Sequence, residues 1–117
     1  MAYKFEKLEV WQLAIGYTDL VYQLAEQLPK NEEYNLRSQI IRAATSIALN
    51  IAEGSTGQSD AEQNRFLGMA LRSLIETVAC LHLIKRRNYM SAESVQEVYA
   101  FSEKLSMKLQ AFRNALK

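Results

Sequence analysis

The stretch SIALNIAEGS, residues 46–55, decides how this chain folds. Ile47 and Ile51 stand four residues apart, and the spacing extends backwards through the preceding residues. At about 100° per residue, Leu36, Ile40, Ala43, Ala44, Ile47 and Ile51 fall on one stripe, which predicts a helix with a buried face. Asn50 and Glu53 interrupt the apolar run, and Gly54 follows them. A glycine at that point can take the left-handed conformation that closes a helix, with Gly57 loosening the connection beyond it.

The segments on either side repeat the helical period. Trp11, Ile15, Tyr17, Leu20, Val21, Leu24 and Leu28 recur at three- and four-residue steps. Pro29 ends that run, because its ring clashes with the preceding turn and its nitrogen carries no proton. Glu32 and Glu33 then stand near the positive end of the second helix. SDAE, residues 59–62, has the form of a capping box: Ser59 accepts from the amide of Glu62, whose carboxylate reaches back to the amide of Ser59. The third helix carries Leu67, Leu71, Leu74, Val78 and Leu81 on one stripe and ends near KRRN, residues 85–88. Ser91 caps a fourth helix, with Val95, Val98, Tyr99, Leu105, Leu109, Phe112 and Leu116 facing inward. No segment alternates at period two. The expectation is an all-α antiparallel up-down-up-down four-helix bundle, one domain over residues 1–117, with helices at about 8–28, 33–53, 60–87 and 92–116.

Composition limits what such a bundle does. A chain of 117 residues supports one core, burying roughly two thirds of its unfolded surface. Fourteen Lys and Arg against thirteen Asp and Glu leave a net charge of +1, so binding to nucleic acid or anionic lipid has to come from local patches. Cys80 is the only cysteine, which excludes an intrachain disulfide and suits a reducing compartment. The N-terminal MAYKFEKLEV has no apolar targeting core, and no run approaches 18 apolar residues. A cytoplasmic protein with no membrane partner is expected.

The second helix has more apolar surface than one bundle uses. Beside its core stripe lies a face of Ile41, Thr45, Ala48, Leu49 and Ala52, and ten uncharged residues, AATSIALNIA, separate Arg42 from Glu53. Monomers seldom leave such a face bare. Ile41, Ala48, Leu49 and Ala52 are therefore candidates for an oligomer interface, joined by Tyr17 or Tyr22 of the first helix; the alternative is that small residues merely allow close helix approach. Polar groups in a low-dielectric contact cost about 1–3 kcal/mol unless paired. Arg42, Ser46, Asn50 and Glu53 are accordingly expected to form a polar seam with Ser73 and Glu76 of the third helix, Arg42 meeting Glu76 or Glu53.

Several segments also resemble a known family. LEVWQLA at 8–14, LPK at 28–30, SQIIRAATSIALNIAEGS at 38–55 and RFLGMALRSLIET at 65–77 are similar to bacterial four-helix-bundle proteins associated with intervening sequences of 23S ribosomal RNA genes. The stretch from Arg42 through Ser46 and Asn50 to Gly54 is the most specific part. The resemblance implies a bundle that assembles into a ring, usually a homopentamer, and a link to RNA or other nucleic acid. Related retroelement accessory proteins share the fold and assist a reverse transcriptase. One departure stands out: the family commonly has Gly where this chain has Arg72, which relaxes a close contact or displays a charge.

Catalysis finds little support in the residues. His82 is the only histidine, and Cys80 lies two residues away, about 200° round a helix. Di-iron bundles use Glu-x-x-His pairs, and Ala79 stands three residues before His82. No phosphate-binding glycine loop, HExxH or CxxC occurs, so no catalytic, cofactor or metal site is expected. For nucleic acid, Arg65 and Arg72 lie seven apart on one face of the third helix, and Lys85, Arg86 and Arg87 form a basic run. That run equally complements the negative end of the helix. In a ring, several copies of a modest patch act as one multivalent surface. The expected function is a non-enzymatic, oligomeric binding protein with RNA as the favoured ligand. The alternative is a protein-binding scaffold or accessory subunit of a larger complex, for example a retroelement complex, with no direct nucleic-acid contact.

Overall fold

The structure, a computed structural model, describes residues 3–57 and 59–116. The expected span of 1–117 thus includes Met1, Ala2, Gln58 and Lys117, which lie outside the described residues. Among the described residues there are four α-helices and no strand: α1 Glu9–Ala25, α2 Leu36–Gly54, α3 Asp60–Arg86 and α4 Ala92–Ala115. Short 3₁₀ turns occupy Lys4–Lys7 and Lys30–Glu32. The 27 residues of α3, at about 1.5 Å each, account for the 43 Å long dimension of the molecule.

α1 packs on α2 and α4, and α3 packs on the same two helices, so the four enclose one core. Tyr17 and Val21 of α1, Ile40, Ile47 and Ile51 of α2, Leu67, Leu74 and Leu81 of α3, and Leu105 and Leu109 of α4 have almost no solvent exposure. Each buried aliphatic side chain of this size stabilises the fold by about 1.5–3 kcal/mol. All six residues of the α2 core stripe, Leu36 to Ile51, are buried. By length and composition α3 could cross a membrane, and Leu67, Leu71, Leu74, Leu81 and Ile84 are spent instead on packing.

The helix ends follow local chemistry, with four departures from the expectation. α1 stops at Ala25, because Gln27 and Leu28 turn their amides to the carbonyls of Leu24 and Ala25 in a tighter coil ahead of Pro29. α2 begins at Leu36, and the Glu32 side chain bends forward to accept from the Leu36 amide at 3.3 Å. The capping box at α3 is half formed: Ser59 Oγ accepts from the Glu62 amide at 3.1 Å, but the Glu62 carboxylate goes to Arg65 instead. α3 closes through a left-handed asparagine. Asn88 has φ 56°, its amide donates to the Lys85 carbonyl, and the Tyr89 amide donates to that of Ile84. Those two bonds form a Schellman motif, which asparagine tolerates better than most residues. Ser91 Oγ caps α4 by accepting from the Ser94 amide.

Gly54 departs furthest from its expected role. It lies within α2, is buried, and does not have a positive φ; the left-handed glycine is Gly57, at φ 91°. A Cβ on Gly54 would stand 2.7 Å from Cβ of Phe66 and 3.4 Å from the Gln63 carbonyl. The residue is glycine because α2 and α3 touch there.

The apolar surplus of α2 is also smaller than its sequence implies. Ala48, expected on an external interface, belongs to the buried core, and Ile41 packs against that core. Ala52 is half-buried and shares a cleft with Tyr3 and Phe5, because the N-terminal turn Lys4–Lys7 packs on α2. Tyr17 is wholly enclosed and unavailable to a partner, whereas Tyr22 is exposed. Of the four interface candidates Leu49 alone is largely open to solvent, at 52 % exposure.

Candidate nucleic-acid interface

The polar residues of α2 divide into a bonded group and a solvated one. Asn50 Nδ2 donates to the carbonyl and the Oγ of Ser46, at 2.9 and 3.1 Å. Ser73 Oγ of α3 donates to Ser46 Oγ at 3.0 Å. Asn50, Ser46 and Ser73 therefore form a short seam where α2 meets α3. Arg42, Glu53 and Glu76, expected in the same seam, are exposed. Arg42 does not pair with Glu76 or Glu53; the two ion pairs among the described residues are Arg65–Glu62 and Lys108–Glu9. Side chains already solvated gain little from pairing, since exposed pairs contribute at most about 1 kcal/mol.

Three polar contacts escaped the sequence reading, among them the buried bond from Gln63 Nε2 to Ser55 Oγ at 2.9 Å. Tyr17 Oη and Thr77 Oγ1 are 2.7 Å apart across the core, and Thr77 Oγ1 donates to the Leu74 carbonyl. A threonine hydroxyl has one proton, so Tyr17 is the donor to Thr77. Burial pushes the Tyr17 phenol up to about 12. At the end of the molecule where α3 turns into α4, Tyr89 Oη donates to Glu32 Oε2 at 2.6 Å, while Glu32 Oε1 accepts from Asn35 Nδ2 at 3.0 Å. The Tyr89 bond, ahead of the other contacts, holds the Glu32 carboxyl below its ordinary range, and the same bond raises the Tyr89 phenol. Tyr89 is thus a latch between two connections.

Cys80 and His82 are not brought together. Cys80 is buried, and burial followed by the charge of Glu76 pushes its thiol up. His82 is exposed, with its ring edge-on to Tyr99 at 6.1 Å. Among the described residues no group of three or more His, Cys, Asp or Glu is placed to hold a metal.

The basic candidates occupy two places along α3. Lys85, Arg86 and Arg87 are exposed at its C-terminal end, where they complement the helix dipole. Arg65 and Arg72 line a groove of about 600 Å³ between α3 and α4, together with Gly68, Met69, Ile75 and, from α4, Gln110 and Arg113. Arg65 is partly committed, bonding Glu62 at 2.6 Å and lying 4.7 Å over the Phe66 ring. Arg72, where the resembling family commonly has glycine, displays its charge at this groove. Arg113 was not a candidate from the sequence. In isolation it reads as a cation in the last turn of α4, and only the packing of α4 on α3 turns it toward Arg65 and Arg72.

The described residues thus form an all-helical protein of four helices in which every buried side-chain polar atom has a hydrogen-bond partner. The chain belongs to the 23S rRNA-intervening sequence protein family, whose model matches residues 6–111. It is similar to a crystal structure of a protein with unknown function from the S23 ribosomal protein family of Bacteroides thetaiotaomicron VPI-5482. The two share 27% identity over 87% of this chain and 95% of that one, with a TM-score of 0.80. None of the curated proteins matches this chain.

Proposed function

We propose that this protein is a non-enzymatic, oligomeric RNA-binding protein of the cytoplasm, built as an antiparallel up-down-up-down bundle. The bundle order is supported by paired residues whose numbers rise on one helix as they fall on the next. Ser55 meets Gln63 and Ser46 meets Ser73 between α2 and α3; Glu9 meets Lys108 and Gln27 meets Ser94 between α1 and α4. A ring, with five subunits favoured by resemblance, is supported by large apolar side chains left in water: Leu49 at 52 % and Met107 at 73 % exposure.

The observation that carries the RNA reading is the set of exposed cations in two groups on α3 and at its C-terminal end. Arg65, Arg72, Lys85, Arg86 and Arg87 are exposed, and of these only Arg65 holds an ion pair. Exposed cations of this kind neutralise phosphates and release counterions, so affinity falls with salt. RNA gel shifts across a salt series test it: charge reversal at Arg72, Arg86 and Arg87 is expected to abolish binding, and no binding by the parent at low salt refutes the reading. The rival is a purely protein-binding scaffold or accessory subunit, favoured by the same exposed Leu49 and Met107. Mass in solution separates the interface question from the ligand question. Leu49→Glu is expected to keep parental helicity and lose the ring, and a monomeric parent refutes the ring.

A further inference from the structure

The groove between α3 and α4 differs from the basic run at the end of α3 in being shaped as well as charged. Arg113 reaches across from α4 and is held there, its Nε donating to Asn64 Oδ1 at 2.7 Å. Its guanidinium lies over Gly68, where a Cβ would stand 3.5 Å from the nearest nitrogen. Neither Arg113 nor Arg72 takes part in the ion pairs found among the described residues. Arg65 and Arg72 are about 10 Å apart along α3, at roughly 1.5 Å per residue, and Gly68 lies between them. Arg65, Arg72 and Arg113 therefore line one cleft, with Met69 and Ile75 supplying apolar wall.

We infer that this groove is where the protein holds RNA, and that it takes a single strand, with backbone phosphates on Arg65, Arg113 and Arg72 and a base against Met69 and Ile75. The inference rests on the RNA reading and adds the site and the form of ligand. Guanidinium forks suit phosphate oxygens geometrically as well as by charge. A single strand exposes base faces that lie against apolar side chains and guanidinium planes. Gly68 presents no side chain of its own beneath the Arg113 guanidinium. An acidic amphipathic helix fits less well. It calls for a stripe of apolar anchors at helical spacing, and here three arginines share the wall with Ser106 and Gln110.

Fluorescence anisotropy with a short labelled oligouridylate, and with a duplex as competitor, tests the assignment on three variants. Arg113→Gln should weaken single-strand binding about tenfold and flatten the dependence of log K on log salt by about 0.7. Gly68→Leu keeps every charge, fills the groove and replaces glycine with a better helix former; it should fold with at least parental helicity and weaken binding comparably. Arg86→Gln should change affinity less than either. Parental affinity in both groove variants, with loss in Arg86→Gln, overturns the groove and leaves the RNA reading standing. A parent that binds no single strand at low salt overturns the RNA reading, and the groove with it. A Gly68→Leu chain that loses its solution mass, or a parent that prefers an acidic peptide to RNA, makes the groove a protein contact and overturns the assignment.

Discussion

On the side of α3 that meets α2, a glycine is pressed against a neighbour: a Cβ on Gly54 would lie 2.7 Å from Phe66 Cβ. On the side that meets α4, Gly68 faces the Arg113 guanidinium at an ordinary contact distance, 3.5 Å from where its Cβ would be. The first contact involves atoms rooted in both backbones, which cannot swing aside. The second involves the far end of a flexible side chain over a groove. One side of α3 is sealed by small and polar residues, including Ser46, Ser73 and the bond from Gln63 to Ser55. The other leaves a groove lined by Arg65, Arg72 and Arg113. The same residue type serves close approach in one place and access in the other, and a sequence pattern does not distinguish them.

That contrast can be broken most sharply at Gly54. Gly54→Leu should destabilise by about 3 kcal/mol or more, the upper end of overpacking costs, measured as a lowered urea midpoint; parental stability would show that α2 and α3 are not in contact there. Next in size is the buried pair that joins α1 to α3. Thr77→Val leaves the Tyr17 hydroxyl without an acceptor and should cost about 1–3 kcal/mol, while Tyr17→Phe leaves Thr77 bonded to Leu74 and should cost about 1 kcal/mol. Equal losses in thermal melts of the two variants would contradict the assignment of Tyr17 as donor.

A smaller effect is expected at the Glu32–Tyr89 latch, at the molecule's end. The carboxyl of Glu32 is lowered on folding from its ordinary 4.5, so its contribution is present above that pH and lost as pH falls through the folded value. The Tyr89 phenol is raised from 10.0, so its contribution is complete below that pH and lost as pH rises through the folded value. Stability should thus be flat between the two limits and fall outside them, and Tyr89→Phe should reduce both shoulders when urea midpoints are compared across pH. Unchanged shoulders would mean the bond does not persist in solution. The smallest effect sharpens the opening contrast: Gly68→Ala should stabilise, by about 0.5–1 kcal/mol, since helix-interior glycine carries an entropic cost and the new Cβ meets no clash. A loss at Gly68 like that at Gly54 would place both glycines in close contacts.

Much of the secondary structure was legible because its causes are local. The stripe from Leu36 to Ile51, the stop near Pro29 and the serine caps at Ser59 and Ser91 involve partners no more than one turn away. The site was less legible. Arg65 and Arg72 could be placed on one helical face, but Arg113 joins them only because α4 lies beside α3. Glu32 read as a charge near a helix start and proved to be a capping group bonded to Tyr89. Ala48 read as surplus because the N-terminal turn and α1, which pack on α2, could not be docked from periodicity.

By itself the sequence determined that this chain is helical, where its helices begin and end to within a few residues, and which stripe of α2 faces the core. Those outcomes follow from backbone geometry, capping and apolar period over a few neighbouring residues. The tertiary structure alone decided that Gly54 is a contact rather than a cap, that Tyr17 meets Thr77 from 60 residues away, and that Glu32 meets Tyr89 from 57. It also decided that Arg113, bonded to Asn64 from 49 residues away, stands beside Arg65 and Arg72. Each depends on how helices dock and in what register, which is set by the combined packing of all four and is carried by no single stretch of chain.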